Sequence, residues 1–240
     1  MLKALIFDVD GTLADTEMAH LGAFNHAFAE AGLDWRWDVP LYTKLLEISG
    51  GKERIRAYWE SRGDMPKEVG HDGISQTIAQ LHEIKTAAYE QAVQNGEVHM
   101  RPGVLALMRS AIGAGLHLAI ATTTSPVNIT NLLKQAMGPD WNSHFSVIED
   151  ASTAPRKKPD PSVYLQTLAR LNLPASACIA IEDSANGLRA ATAAGLTALI
   201  TTNPFTEHHN FDGAFKVLPN LQGMTLSQLQ AWHAQSTFSA

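Results

Sequence analysis

Leu5-Ile6-Phe7-Asp8-Val9-Asp10-Gly11-Thr12-Leu13 is the stretch on which the fold of this chain turns. A short apolar run ends in an acid, and a second acid two positions on is followed directly by glycine. A strand apolar on both faces belongs in a parallel sheet covered by helices. The loop at the carboxyl end of such a strand is where α/β sheets bind their ligands. The same form recurs in His117–Ala121, Phe145–Ile148, Cys178–Ile181 and Thr197–Thr201. Helical patterns lie between them, over 103–114, 126–137, 161–171 and 185–194. Ser125-Pro126 supplies an N-cap with proline at the first helical position. Gly115, Gly138 and Gly195 suit left-handed C-terminal caps. Strand–helix alternation with short connections predicts an α/β fold, a doubly wound parallel sheet of Rossmann-like type.

Residues 16–91 break this rhythm. They read as helices over 16–31, 40–48, 52–62 and 72–93, with no strand between. The expected organisation is a core of 1–15 and 92–240 carrying an all-helical insert at 16–91. Segment 225–234 reads as a last surface helix with a frayed tail behind it. Trp35 and Trp37 read as packing anchors near the first turn of the insert, and His208-His209 as part of a polar loop.

The chain has 240 residues, 45% hydrophobic, with 18 Lys+Arg against 24 Asp+Glu and a net charge of −6. This is ample for a buried core and too apolar for a disordered chain. No long block of like charge occurs, so a nucleic acid is not an expected partner, and with no transmembrane run neither is a membrane. The single cysteine, Cys178, excludes an internal disulfide and a cysteine-based zinc site. The apolar start is cut off by Asp8, too soon for a signal-peptide core. The expectation is a soluble monomer in the cytoplasm or a stroma-like compartment.

Four strand-end elements carry candidate chemistry. Asp8 and Asp10, closed by Gly11, either hold a hard cation while one oxygen attacks as a nucleophile, or form a plain Asx turn. Thr122-Thr123-Thr124-Ser125 offers hydroxyls and backbone N–H groups at a helix start, as a phosphate cradle or simply as a cap. Lys158 in Lys157-Lys158-Pro159 either neutralises a transferring phosphoryl group or belongs to a solvated basic loop. Glu182-Asp183-Ser184 suits Mg²⁺, which takes oxygen ligands, and also suits a helix N-terminus.

In this order and at these strand ends, the four elements resemble the haloacid dehalogenase superfamily of phosphotransferases, over nearly the whole chain. The insert resembles the cap domain of the β-phosphoglucomutase-like branch. Asp15-Thr16-Glu17, Gly50-Gly51-Lys52-Glu53-Arg54, Arg101-Pro102-Gly103 and Asn186-Gly187 bring it nearest to the CbbY-type sugar bisphosphate phosphatases. The resemblance implies that Asp8 becomes phosphorylated and that Asp10 is the general acid/base. It implies that Thr122 and Lys158 serve the phosphoryl oxygens, and that Mg²⁺ is held by Asp8, the Asp10 carbonyl and Asp183, with Glu182 either a further ligand or a residue just behind the ligands. The implied substrate is a small phosphorylated sugar such as xylulose-1,5-bisphosphate, with β-phosphoglucomutase as the alternative activity. Phosphoglycolate phosphatase and a non-catalytic phosphate-binding module rank below these.

Substrate choice is expected to rest on the insert, because lids complete such sites. The Gly50-Gly51 turn opens a helix beside Lys52 and Arg54, which suits a second phosphate or merely an exposed helical turn. Glu17 and His20 share a helix face and either meet the substrate hydroxyls or are buried and satisfied. Tyr42 is a further candidate of that kind. Arg101 either marks a hinge or reaches the site.

Overall fold

A computed structural model describes residues 1–63, 71–154 and 156–236 of the chain. The chain forms two compact units, one of Met1–Asp15 with His99–Ala240 and the other of Thr16–Val98. The second unit extends past the expected boundary at residue 91, because its last helix continues through Gln94.

Among the described residues of the first unit, six strands form one sheet: β1 (Ala4–Phe7), β2 (His117–Ala121), β3 (Val147–Glu149), β4 (Cys178–Glu182), β5 (Thr197–Thr201) and β6 (Lys216–Leu218). The order is β3-β2-β1-β4-β5-β6 and every pairing is parallel. Chain order therefore reverses between β1 and β4, the switch point at which doubly wound sheets bind ligands.

Side chains alternate across the sheet, and the face bearing Ala4, Ile6, Ala119, Ala121, Cys178, Ala180, Ala198 and Ile200 is fully buried. Its many alanines allow close approach of the helices that supply Val163, Tyr164, Leu188 and Ala191. Leu5, Phe7, Leu118, Ile120, Ile179, Ile181 and Leu199 fill the alternate positions and are equally buried. Both faces are covered, as the apolar runs require.

In chain order the helices are α1 (Glu17–Glu30), α2 (Val39–Leu45), α3 (Gly51–Arg62), α4 (His71–Gln94), α5 (Val104–Gly113), α6 (Pro126–Met137), α7 (Ser162–Leu171), α8 (Ala185–Ala193) and α9 (Leu226–Ser236). The first four make the second unit, where α1 packs along α4. Trp37 sits among Phe24, Phe28, Tyr42 and Tyr58, and Trp35 among Phe28, Tyr58 and Trp59. Both tryptophans are thus the packing anchors expected. Asn25 fixes the turn after α1 by exchanging two 2.8 Å hydrogen bonds with the backbone of Trp37. Asp38 caps α2 by accepting from the Leu41 N–H at 2.8 Å.

Some details differ from the sequence expectation. The strand expected at Phe145–Ile148 lies at Val147–Glu149, because Trp141–His144 forms a 3₁₀ turn and Phe145 packs against Trp141. Strand β6 has no apolar run to announce it, since Lys216 and Val217 are exposed at the sheet edge. Gly115 and Gly195 take the expected positive φ, whereas Gly138 pairs φ 93° with an extended ψ of −179° and so is not a left-handed cap. The tail beyond Ser236, expected to fray, lies outside the described residues.

Candidate active site

The parallel register builds the site. Phe7 is level with Ile120 and Ile181, so the next residue on each strand aligns Asp8 with Ala121 and Glu182. Asp8 continues the parity of Ala4 and Ile6, and Glu182 that of Cys178 and Ala180, so both acids leave the sheet on one face. The Asp8 N–H donates to the Ile181 carbonyl at 3.0 Å and ties the two strand ends together.

Lys158, buried just before α7, connects the row. Its Nζ donates to Asp8 Oδ1 at 2.6 Å, to the Ala121 carbonyl at 2.8 Å and to Glu182 Oε1 at 2.5 Å. All three of its donors are thereby matched to this row. From α7, Tyr164 donates its hydroxyl to the same Glu182 oxygen at 2.5 Å, and its ring lies 5.1 Å from the ammonium. Burial, then the neighbouring Glu182 and Asp8 carboxylates, push the Tyr164 phenol well above its ordinary range, so it stays a donor.

One ammonium faces two buried carboxylates. Burial lowers the Lys158 pKa, but attraction from Asp8 and Glu182 outweighs this and the group is held firmly charged. Burial is the largest influence on Asp8 and raises it to about 7; Lys158 opposes the rise, while Glu182 adds to it. The site is thus richer in negative charge than its single lysine balances.

Asp183 completes an all-oxygen cluster. One carboxylate oxygen from each of Asp8, Glu182 and Asp183 lies within 4.8 Å of the others. This hard, oxygen-only donor set fits a divalent cation of the Mg²⁺ type. Backbone packing confines the acids. A Cβ at Gly11, where φ is +73°, would strike Asp183 Oδ2, and a Cβ at Gly187 would overlap the Glu182 carboxylate. Asp10 sits between Val9 and Gly11 at a partly exposed position, in a turn closed by a Gly11 N–H bond to the Ala14 carbonyl at 2.9 Å.

Thr122 is buried at the end of β2, and its Oγ1 accepts from the Thr124 N–H at 3.3 Å. Thr123 is partly exposed. Thr124 is buried and accepts from Asn128 Nδ2 at 3.1 Å, so its hydroxyl braces the first turn of α6. Ser125 is the N-cap of α6, as expected.

Arg101 is buried against backbone. It donates to the carbonyls of Gly11 at 2.6 Å, Thr201 at 2.9 Å, Thr202 at 2.5 Å and Pro219 at 2.9 Å, and pairs with Asp15 at 3.2 Å. It therefore clamps the points where the chain leaves and re-enters the first unit. His209 Nδ1 accepts from the Ala185 N–H at 3.3 Å, within the polar loop expected for this pair.

In the second unit the candidates are paired across helices. Tyr42 is buried and donates to Glu17 Oε2 at 2.6 Å. His20 is buried, with Nδ1 2.8 Å from Lys85 Nζ and its ring stacked 4.0 Å from Tyr89. Gly50 takes φ 103° and α3 begins at Gly51, where a Cβ would strike His82. Lys52 is exposed. Arg54 Nε donates to the carbonyls of Leu45 and Ile48 at 3.2 and 3.0 Å, capping the end of α2.

Sequence reading did not identify Tyr164, Asn203 or Lys85. None stands in a strand-end motif. A lysine four residues from both Leu81 and Tyr89, in the apolar stripe of its helix, was the available signal for Lys85.

Residues 2–195 match the family model for haloacid dehalogenase-like hydrolases. The chain belongs to the haloacid dehalogenase-like hydrolase family, and it is a phosphatase. It is 50% identical to the plasmid-encoded protein CbbY of Cupriavidus necator, over 97% of each chain. It is 43% identical to CbbY of Rhodobacter capsulatus, over 92% of this chain and 94% of that one. The crystal structure of Rhodobacter sphaeroides CbbY with phosphate superposes with a TM-score of 0.88 at 38% identity, covering 96% of this chain and 100% of that one. An aspartate-to-asparagine mutant of the same protein was crystallised with xylulose-1,5-bisphosphate; it too has a TM-score of 0.88 at 38% identity, covering 95% and 99% of the two chains. No described helix is long and apolar enough to cross a membrane.

Proposed function

We propose that this phosphatase hydrolyses a small sugar bisphosphate of the xylulose-1,5-bisphosphate kind, with Mg²⁺ and through an aspartyl phosphate at Asp8. The reading is carried by Lys158, whose ammonium joins Asp8 to Glu182 inside a buried cluster of three acids. Support for the substrate comes from the CbbY structure with xylulose-1,5-bisphosphate.

Asp8, Asp183 and the Asp10 carbonyl would hold the Mg²⁺, with Glu182 as a further ligand or as the anchor of Lys158. When bound, the cation supplies positive charge that lets a phosphate dianion approach a carboxylate. An Asp8 oxygen attacks phosphorus, and the bond from phosphorus to the sugar oxygen breaks. Asp10 gives its proton to that oxygen and then accepts one from the water that attacks the aspartyl phosphate. Inorganic phosphate leaves and Asp8 is restored. Thr122 and the backbone N–H of Thr123 steady the phosphoryl oxygens, with Gly11 closing the turn that carries Asp10 and Thr124 bracing the loop, while Lys158 offsets their charge. The second phosphate falls to Gly50, Gly51 and Lys52, with Arg54 behind them, and the sugar hydroxyls to Glu17, His20 and Tyr42.

Phosphate release from xylulose-1,5-bisphosphate, with Mg²⁺ and with EDTA, tests the reading. Release with Mg²⁺, its loss with EDTA, and its abolition in a folded Asp8→Asn variant are expected. Release by Asp8→Asn would overturn the mechanism. Conversion of β-glucose 1-phosphate to glucose 6-phosphate without free phosphate would overturn hydrolysis in favour of a mutase.

A further inference from the structure

We infer that Asn203, on the loop after β5, is a positioning residue that sets the cation affinity of the site by holding the Asp183 carboxylate. The inference rests on the proposed Mg²⁺ dependence and deepens it.

Asn203 is buried. Its Nδ2 donates to Asp183 Oδ2 at 2.7 Å and approaches the Gly11 carbonyl at 3.3 Å. The amide has one orientation that fits, because its Oδ1 accepts from the Phe205 N–H at 2.9 Å. Turning it over would set the amide oxygen against two acceptors and the NH₂ against a donor. The backbone is equally constrained. The Asn203 N–H donates to Thr206 Oγ1 at 3.2 Å, and its carbonyl accepts from Thr206 and Glu207 at 3.0 and 2.9 Å.

The amide therefore links two strand-end loops, the one carrying Asp8 and Asp10 and the one carrying Glu182 and Asp183. Gly11 leaves room for this link, since a Cβ there would meet both Asp183 Oδ2 and Asn203 Nδ2. A neutral donor suits the place. An ammonium or guanidinium would cancel the charge the cation needs, whereas an amide orients the carboxylate and leaves it anionic. Loss of such an outer partner weakens metal binding by about 10- to 100-fold.

The test is calorimetric titration of the full chain with Mg²⁺, comparing Asn203→Ser and Thr206→Val with the parent. Serine keeps a turn-forming acceptor for the Phe205 N–H but is too short to reach Asp183. Thr206→Val disturbs the same loop from its other end without touching Asp183. The expected result is an Mg²⁺ dissociation constant raised about 10-fold or more by Asn203→Ser and unchanged by Thr206→Val. Turnover of an aryl phosphate by Asn203→Ser is expected to recover at saturating Mg²⁺. An unchanged constant for a folded Asn203→Ser, or equal weakening by Thr206→Val, overturns the positioning role alone. If Asn203→Ser does not fold, Asn203→Ala in the same titration decides by the same criterion. A parent chain that binds no Mg²⁺ and hydrolyses the aryl phosphate in EDTA overturns the metal reading, and this inference with it.

Discussion

The two units place their candidate residues by different means. In the first, Asp8, Ala121 and Glu182 lie level at neighbouring strand ends, and the parallel ladder sets their spacing before any side chain makes a bond. In the second, Glu17 meets Tyr42 and His20 meets Lys85 across helices, over 25 and 65 residues of chain. A sheet register is a ruler that a short motif can be read against. A helix–helix contact depends on crossing geometry, which no local spacing records. The first arrangement is expected to tolerate little change and the second to adjust.

Removing Lys158 tests the sharp side of this contrast most severely. Lys158→Ala leaves two buried carboxylates without their cation. Turnover is expected to fall about 100- to 1,000-fold, and stability in urea by about 3–5 kcal/mol. Unchanged stability would mean that the row of acids is not held by the lysine. On the other side, Lys52→Ala is expected to raise KM for a sugar bisphosphate about 10-fold, one charge-assisted hydrogen bond, and to spare a monophosphate. Equal losses on both would remove Lys52 from the second phosphate.

The raised pKa of Asp8 gives a smaller, pH-dependent difference. A carboxyl whose native pKa is near 7 rather than the usual 3.8 favours the folded state when protonated. That contribution is complete below about pH 4 and is lost as pH rises through about 7. Mg²⁺ bound as proposed would stabilise the ionised form, so it is expected to raise Tm more at pH 8 than at pH 5, and to release protons on binding near pH 6. Equal Tm gains and no proton release would place Asp8 at its ordinary value. The smallest effect is expected in the second unit, where Tyr42→Phe loses the bond to Glu17 and costs about 1 kcal/mol in urea unfolding.

This contrast also explains what could be read from the residues alone. The strand ends at Asp8, Ala121 and Glu182 were legible because each apolar run stops at a polar residue with chemistry to offer. Lys158 was legible as a lysine before a helix, but its bond to Glu182 was not, since only the register brings β1 and β4 side by side. Asn203 stands two residues beyond β5, where no acid or lysine marks the strand end. Arg54 read as an anion-binding base, and that its Nε also caps α2 was not legible, because carbonyls at a helix end need donors that sequence spacing does not reveal. Strand β6 was missed because edge strands need no apolar run.

The crossing between the units has a consequence for how such a chain can vary. Asp15 donates its N–H to the His99 carbonyl at 3.0 Å, Ala14 bridges to Met100, and Arg101 fastens both passages to the backbone of the first unit. The inserted residues are thus a loop with both ends tied at one point. Closing such a loop costs little more when it is longer, about 0.6 kcal/mol for each doubling of length. The sheet and its acids need not register how large the insert is. Descendants of this architecture are free to lengthen, shorten or exchange that segment, provided the knot at Asp15 and Arg101 is kept.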